Sequence, residues 1–295
     1  MASVSIDAQQ LVESLSEYSR LIVAFSGGVD SSVVAAAAHR ANLQSAIAVT
    51  AQSPSVPQWQ LQVAQRVAGE IGIEHRIVRT QEGVREEYRR NDRQRCYYCK
   101  DTLYQTLNEV ADFDSTATII SGTNADDLGD YRPGISAGNR HRVLTPLADL
   151  GFNKARVRNI AKFFKLSNWN LPASPCLASR VAYGVEVTPE RLHRIELAES
   201  FLRDLGFNPL RVRLLAEEQA RIEVEKSSIE ALLTLECDQR VSNQLLAFGF
   251  ESVMIDPEGF RSGRLNEGLS PPTLTAIGPT ARSADRITDP KEASR

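Results

Sequence analysis

Short apolar runs alternate with longer segments of helical periodicity through the first half of the chain. Arg20–Phe25, Gln44–Thr50, Glu74–Val78 and Thr116–Ser121 read as strands. Ser31–Ala41, Gln58–Ile71 and Tyr97–Ala111 read as helices between them. A parallel connection must cross a sheet face, and a helix makes that crossing while covering the face. The fold class expected is therefore α/β, a parallel sheet with helices on both faces. Another helix, Asn153–Phe164, leads to a loop rich in Pro, Ser and Ala at Leu171–Arg180. The order then changes: helix Pro189–Leu205, strands Pro209–Leu214 and Ala220–Val224, helical sequence within Ile229–Phe248, and a last strand, Ser252–Ile255. This is a smaller α+β unit. The division expected is 1–165, 166–267 and a disordered tail, 268–295, where Ser270-Pro271-Pro272 and few large apolar residues leave little to bury.

Composition narrows the class. The 295 residues are 42% hydrophobic and 24% charged, as in a water-soluble globular protein. No apolar run approaches the about 20 residues of a membrane span. Met1–Gln10 has neither the basic start nor the apolar core of a signal peptide, so a cytoplasmic location and no membrane partner are expected. The net charge of −3 argues against a nucleic-acid partner. The four cysteines, Cys96, Cys99, Cys176 and Cys237, should then be reduced, which favours metal binding or catalysis over disulfides.

The densest chemical signal follows the first strand: Ser26-Gly27-Gly28-Val29-Asp30-Ser31-Ser32. Two glycines let the backbone curl so that its N–H groups converge, and the following helix aims its positive end at the same place. Such a loop suits a phosphate or pyrophosphate. No Gly-Lys-Ser/Thr follows, so it is not the lysine-bearing P-loop. It resembles the SGGxDS loop of the PP-loop ATP pyrophosphatases, whose fold is adenine nucleotide alpha hydrolase-like. The resemblance implies that ATP is cleaved between its α- and β-phosphates. Ser26, Gly27, Gly28, Ser31 and Ser32 would cradle pyrophosphate, and Asp30 would help hold Mg²⁺ or orient the loop. Two other segments sit beyond strand ends, Thr50–Ser55 and Ser121–Asp127. Asp126, Asp127 and Asp130 are possible Mg²⁺ ligands, and an Asx-rich turn accounts for them nearly as well.

Cys96 and Cys99 form a Cys-x-x-Cys, and Cys176 lies in Ser174-Pro175-Cys176-Leu177-Ala178-Ser179-Arg180. By residue type alone three readings stand. They are partly buried thiols, a zinc site completed by Cys237 or a histidine, and a three-cysteine iron–sulfur site with one iron open.

Further stretches narrow the choice: Asp130–Gly134, Asn168-Trp169-Asn170, Ser179-Arg180, Tyr183-Gly184, Arg211-Val212-Arg213 and Gly259–Arg264. Together, from about Arg20 to Asn266, they resemble the LarE family, ATP-dependent sulfur transferases of nickel-pincer nucleotide biosynthesis. The resemblance implies that ATP adenylates a carboxylate of pyridinium-3,5-biscarboxylic acid mononucleotide and that sulfur then displaces AMP, twice. It places the substrate phosphate at Ser179 and Arg180, with Arg211 and Arg213 beside them and Glu199 nearby, in one cleft with the ATP loop. It also implies a homo-oligomer. Some members sacrifice the sulfur of one cysteine, and others hold a [4Fe–4S] cluster on three. Here the sacrificial position falls on Pro175, while Cys96, Cys99 and Cys176 match the three-cysteine pattern. The cluster is therefore expected, with hydrosulfide carried on its open iron. The catalytic candidates are Cys176, Asp30 and Glu199, and Cys176 as sacrificial donor is the alternative. A PP-loop tRNA thiolase, an amide-forming PP-loop enzyme and a non-enzymatic carrier are the other classes weighed.

Overall fold

Three neighbouring residues of the first strand show how the sheet is built. In β1 (Arg20–Ala24), Leu21 and Val23 belong to one apolar layer and Ile22 to another. The same alternation occurs in β2 (Ser45–Gln52), with Ala48 opposed to Ile47 and Val49, and in β4 (Thr118–Ser121), with Ile120 opposed to Ile119. Successive strand side chains point to opposite faces, so apolar residues at consecutive positions mean that both faces are covered. The structure, a computed structural model, describes residues 2–112, 117–129, 133–172 and 174–261. Asp130, the rest of the 130–132 segment, 262–264 and the expected tail lie outside the described residues.

The sheet is parallel, in the order β3-β2-β1-β4, with β3 spanning Glu74–Arg79. The chain adds β2 and β3 on one side of β1 and then returns to place β4 on the other. That reversal opens a crevice at the carboxyl ends of β1 and β4, where ligands of such sheets bind. Ala24 pairs with Ser121 in register, so the loops after both strands leave side by side.

One face is covered by α1 (Ala2–Ser16), α2 (Val29–Arg40), α3 (Gln58–Ile71) and α8 (Lys154–Phe163). Helix α2 buries Val33, Val34 and the run Ala35–Ala38, small side chains that allow close packing on several sides. Helix α1 is not among the elements expected above, although Ala8, Leu11 and Leu15 form its buried stripe at helical spacing. The other face is covered by α5 (Arg95–Asp112) and α6 (Pro133–Arg140). Two short helices, α4 (Glu86–Arg89) and α7 (Pro146–Asp149), complete this part.

The second sheet, β5 (Leu210–Leu214), β6 (Gln219–Val224) and β7 (Ser252–Ile255), pairs β5 antiparallel and β7 parallel to β6. Its core includes residues of α9 (Pro189–Asp204), α10 (Ile229–Glu236) and α11 (Arg240–Ala247). The helical stretch read across Ile229–Phe248 is thus two helices, broken where Gln239 takes a left-handed backbone. Tyr88, from the first half of the chain, is buried in this second core.

The crevice depends on two glycines. Gly27 has φ +71°, and a Cβ there would sit 2.7 Å from the Ala64 Cα. A Cβ on Gly122 would sit 2.6 Å from the Ser31 nitrogen. Both obstacles are backbone and cannot rotate away. Gly122→Ala is expected to cost about 1–3 kcal/mol of stability and to abolish ATP binding, as read by denaturant unfolding and by calorimetric titration with ATP.

Candidate functional site

The loop after β1 is held by its own hydroxyls. Ser31 Oγ donates to the Gly28 carbonyl (3.1 Å) and lies 3.2 Å from the Ser26 Oγ, and Ser32 Oγ donates to the same carbonyl (2.9 Å). The amides of Ser26 and Gly28 donate weakly, at 3.2 and 3.3 Å, to Ser31 Oγ and Ser26 Oγ. From the far side, the buried Asn168 amide donates to the Gly27 carbonyl (2.7 Å) and to Ser32 Oγ (2.8 Å). Asn168 belongs to the Asn-Trp-Asn stretch, and its two hydrogen bonds fix the curl of the loop.

Asp30 is held as well. Its carboxylate forms a tight ion pair with Lys154 and accepts from the Asn124 side chain at 3.4 Å. Asp126 accepts from the Lys154 amide at the start of α8 (2.9 Å), and Asp127 from the Asn124 amide within its own turn (3.1 Å). These residues surround a cavity of about 430 Å³ whose lining includes Ser26, Gly28, Asp30, Ser31, Gly122 and Asp127. Asp30 and Asp127 thus both face the space a triphosphate would fill, and their oxygens suit Mg²⁺.

The same cavity is lined by Cys96, Lys100 and Tyr104 of α5. Cys99 and Cys176 lie deeper, packed on the second core. None of the three thiols is in a disulfide. Burial pushes the Cys99 thiol up, and the charges of Glu82, Cys176 and Cys96 add to this while Lys100 opposes them. Lys100 is held charged by Tyr104 and, against the cost of burial, by Cys99, Cys96 and Cys176. The segment carrying Cys176 is tied down where the Leu177 amide donates to the Ser55 carbonyl (2.9 Å), while Ser55 Oγ donates to buried Glu82 (2.8 Å). Among the described residues no three His, Cys, Asp or Glu side chains close to metal-ligating distance. The donor set nevertheless suits an iron–sulfur cluster: three free thiols, with buried Arg95 and exposed Lys100 flanking the Cys-x-x-Cys pair. Cys237 is exposed at the end of α10 and belongs to no such group.

The arginines form a separate cluster. Arg180 Nε donates to Glu199 Oε1 (2.9 Å), which also accepts from the Val212 amide (3.2 Å). Arg213 Nε donates to Glu223 Oε1 (2.5 Å), and one Arg213 nitrogen, Nη2, is buried without a partner. Arg211 lies 4.8 Å from the Phe260 ring centroid. Burial disfavours its charge, and the neighbouring Arg180 and Arg213 disfavour it further. Ser179 Oγ donates to the Cys176 carbonyl (2.7 Å), and Arg180 Nη1 donates to that carbonyl (3.1 Å) and to that of Pro175. The cavity at the ATP loop is lined by no arginine of this cluster. The link between the two runs through the backbone of the Cys176 segment, whereas the sequence leads one to expect a single cleft.

Sequence reasoning picked out the Ser121–Asp127 segment without a role for Gly122 or Asn124, and it missed Lys154, Lys100 and Arg95. Lys100 and Arg95 flank the Cys-x-x-Cys and were within reach of inspection. The others meet the loop only through the fold.

A doubly covered parallel sheet with an SGGxDS loop at its switch point is the fold of a PP-loop ATP pyrophosphatase. Residues 12–102 match the asparagine synthase family model, which covers this loop and its flanking elements. Over 278 residues the chain is 33% identical to the pyridinium-3,5-bisthiocarboxylic acid mononucleotide synthase of Lactiplantibacillus plantarum, covering 94% of this chain and 100% of that protein. An uncharacterized protein of Synechocystis is 41% identical over 262 residues (89% and 97%), and one of Methanocaldococcus jannaschii is 27% identical over 244 (82% and 91%). The chain belongs to the LarE family of ATP-dependent sulfur transferases in nickel-pincer cofactor synthesis.

Lys154→Met leaves the Asp30 carboxylate unpaired at the phosphate cradle. It is expected to weaken ATP binding about 5-fold, the effect of roughly 1 kcal/mol for a partly exposed pair. Asp30→Asn in the same background should recover most of that loss in calorimetric titration without Mg²⁺.

Proposed function

We propose that this protein adenylates the carboxylates of pyridinium-3,5-biscarboxylic acid mononucleotide and replaces AMP with sulfur to give thiocarboxylates. Residues 1–165 would bind ATP and 166–267 the mononucleotide. The observation that carries this reading is that Cys96 lines the cavity of the ATP loop while Cys99, one helical turn on, and Cys176 both pack on the second core.

A carboxylate is a poor electrophile, and adenylation gives its carbon a good leaving group. The substrate oxygen attacks the α-phosphorus of ATP and the bond to pyrophosphate breaks. Ser26, Gly27, Gly28, Ser31 and Ser32 hold the departing pyrophosphate, and Asp30 and Asp127 hold Mg²⁺. A sulfur nucleophile then forms a C–S bond as the C–O bond to AMP breaks. Lys100, charged and lining the cavity alongside Cys96, offsets the negative charge of the incoming sulfur. Cys96, Cys99 and Cys176 would hold the [4Fe–4S] cluster. When bound, that cluster supplies external sulfide, so no protein sulfur is consumed.

The mononucleotide phosphate is assigned to Ser179, Arg180, Arg211 and Arg213. What supports this is the excess of buried cations over carboxylates there, which a phosphate would relieve. Glu199 orients Arg180 and is a positioning group in this reading.

Anaerobically purified protein is expected to contain about four irons and four acid-labile sulfides per chain, both lost in Cys99→Ser. A colourless, iron-free protein that loses one sulfur from Cys176 after a single turnover would replace this reading with sacrificial donation. Arg211→Ala should raise the KM for the mononucleotide about 10–100-fold, as for loss of a charge-assisted hydrogen bond, and leave the KM for ATP unchanged in a pyrophosphate-release assay.

A further inference from the structure

The two cysteine-bearing segments are far apart in sequence, and one buried side chain spans them. Arg95, one residue before Cys96, is 3% exposed, and its Nη1 donates to the Ala178 carbonyl (2.7 Å), 83 residues along the chain. The same nitrogen donates to Asn91 Oδ1. Asn91 is fully buried, with a left-handed backbone (φ 55°). Its Nδ2 donates to the carbonyls of Ala182 (2.7 Å), Val185 (2.8 Å) and Val181 (3.3 Å). Arg95 and Asn91 thus clamp the start of the Cys-x-x-Cys helix to residues 178–185, directly after Cys176.

Geometry alone does not explain a guanidinium. A neutral amide would make the same bond to Ala178 without the cost of burying a full charge. Among the described residues no carboxylate bonds Arg95. Its neighbours are instead the thiols: Cys96 is the next residue, and the Ala178 bond brings Arg95 to the Cys176 turn. With all of them neutral, the cation would stand uncompensated in the interior.

We infer that Arg95 is the positioning residue of the three-thiol site: it draws the Cys-x-x-Cys helix and the Cys176 turn together, and it neutralises an anionic sulfur centre that they share. This rests on the sulfur-site reading above. A cluster on three thiolates carries net negative charge, and a buried cation beside it stabilises the reduced, more negative form.

The test uses the full chain with Arg95→Gln and Arg95→Lys. In anaerobic protein, Arg95→Gln should retain several-fold less iron, and what remains should have a more negative reduction potential in a spectroscopic redox titration. Arg95→Lys keeps the charge without the guanidinium fork, so it should restore the potential but not the full iron content. In metal-free, reduced protein, a short bis-alkylating reagent should bridge Cys96 to Cys176, read by peptide mass spectrometry, and the yield should fall several-fold in both variants. An unchanged potential together with unchanged bridging in folded Arg95→Gln overturns the inference. If Arg95→Gln does not fold, Arg95→Lys decides, because a shifted potential there overturns the charge role and unchanged bridging overturns the clamp. Wild-type protein without iron would sink the cluster reading alone, and the bridging yield would still decide whether Arg95 joins the two segments.

Discussion

Buried arginines that outnumber the carboxylates bonded to them organise the candidate site. A protein of net charge −3 places converging amides at the end of β1, buried Arg95 at the thiols, and buried Arg180, Arg211 and Arg213 in the second half of the chain. Taking a cation out of water is costly unless an anion meets it. Glu199 and Glu223 answer part of the arginine charge, and among the described residues no carboxylate bonds Arg95. What is left over is positive charge beside the thiols and among the arginines, which in the proposed function a sulfur centre and a substrate phosphate would meet.

The sheet makes that imbalance usable. Reversal of strand order at β1 brings the loops after β1 and β4 together, and the absence of a side chain at Gly122 lets the second loop touch the amide of Ser31. Helix α2 can then aim its N-terminus into the crevice while its alanine-rich body is packed against α1, α3 and α8. The phosphate cradle is rigid because Asn168, from far along the chain, braces the Gly27 carbonyl from behind. Preorganised donors of this kind need no rearrangement when charge develops on a leaving group.

The Cys176 segment is where the parts of the site meet. Its backbone receives Ser179 and Arg180 from its own turn, and Ser55 holds it through the Leu177 amide. Arg180 in turn is oriented by Glu199 on α9, and Arg95 reaches in from α5. Movement of a substrate phosphate against Arg180 would therefore be felt at the Cys176 carbonyl. Cys99, Cys176 and the arginines are thus mechanically adjacent, on the same second core.

Local pattern was enough for much of this. The alternation of strands and helices, the SGGVDS turn and the Cys-x-x-Cys are short-range signals, because backbone periodicity and turn chemistry act over a few residues. They determined the parallel α/β sheet, the position of the phosphate loop and the identity of the three thiols. Helix α1, whose stripe of Ala8, Leu11 and Leu15 has meaning only against the residues it packs on, was not legible. Nor were the Lys154–Asp30 pair, the Asn168 brace or the reach of Arg95 to Ala178. The resemblance picked out Arg180, Arg211 and Arg213 as candidates to hold a phosphate, but their burial, with Glu199 and Glu223 as partners of Arg180 and Arg213, was not legible. Each is a contact between residues distant along the chain. Such contacts exist only once the sheet has brought strand ends and loops together, so the tertiary structure alone decided them.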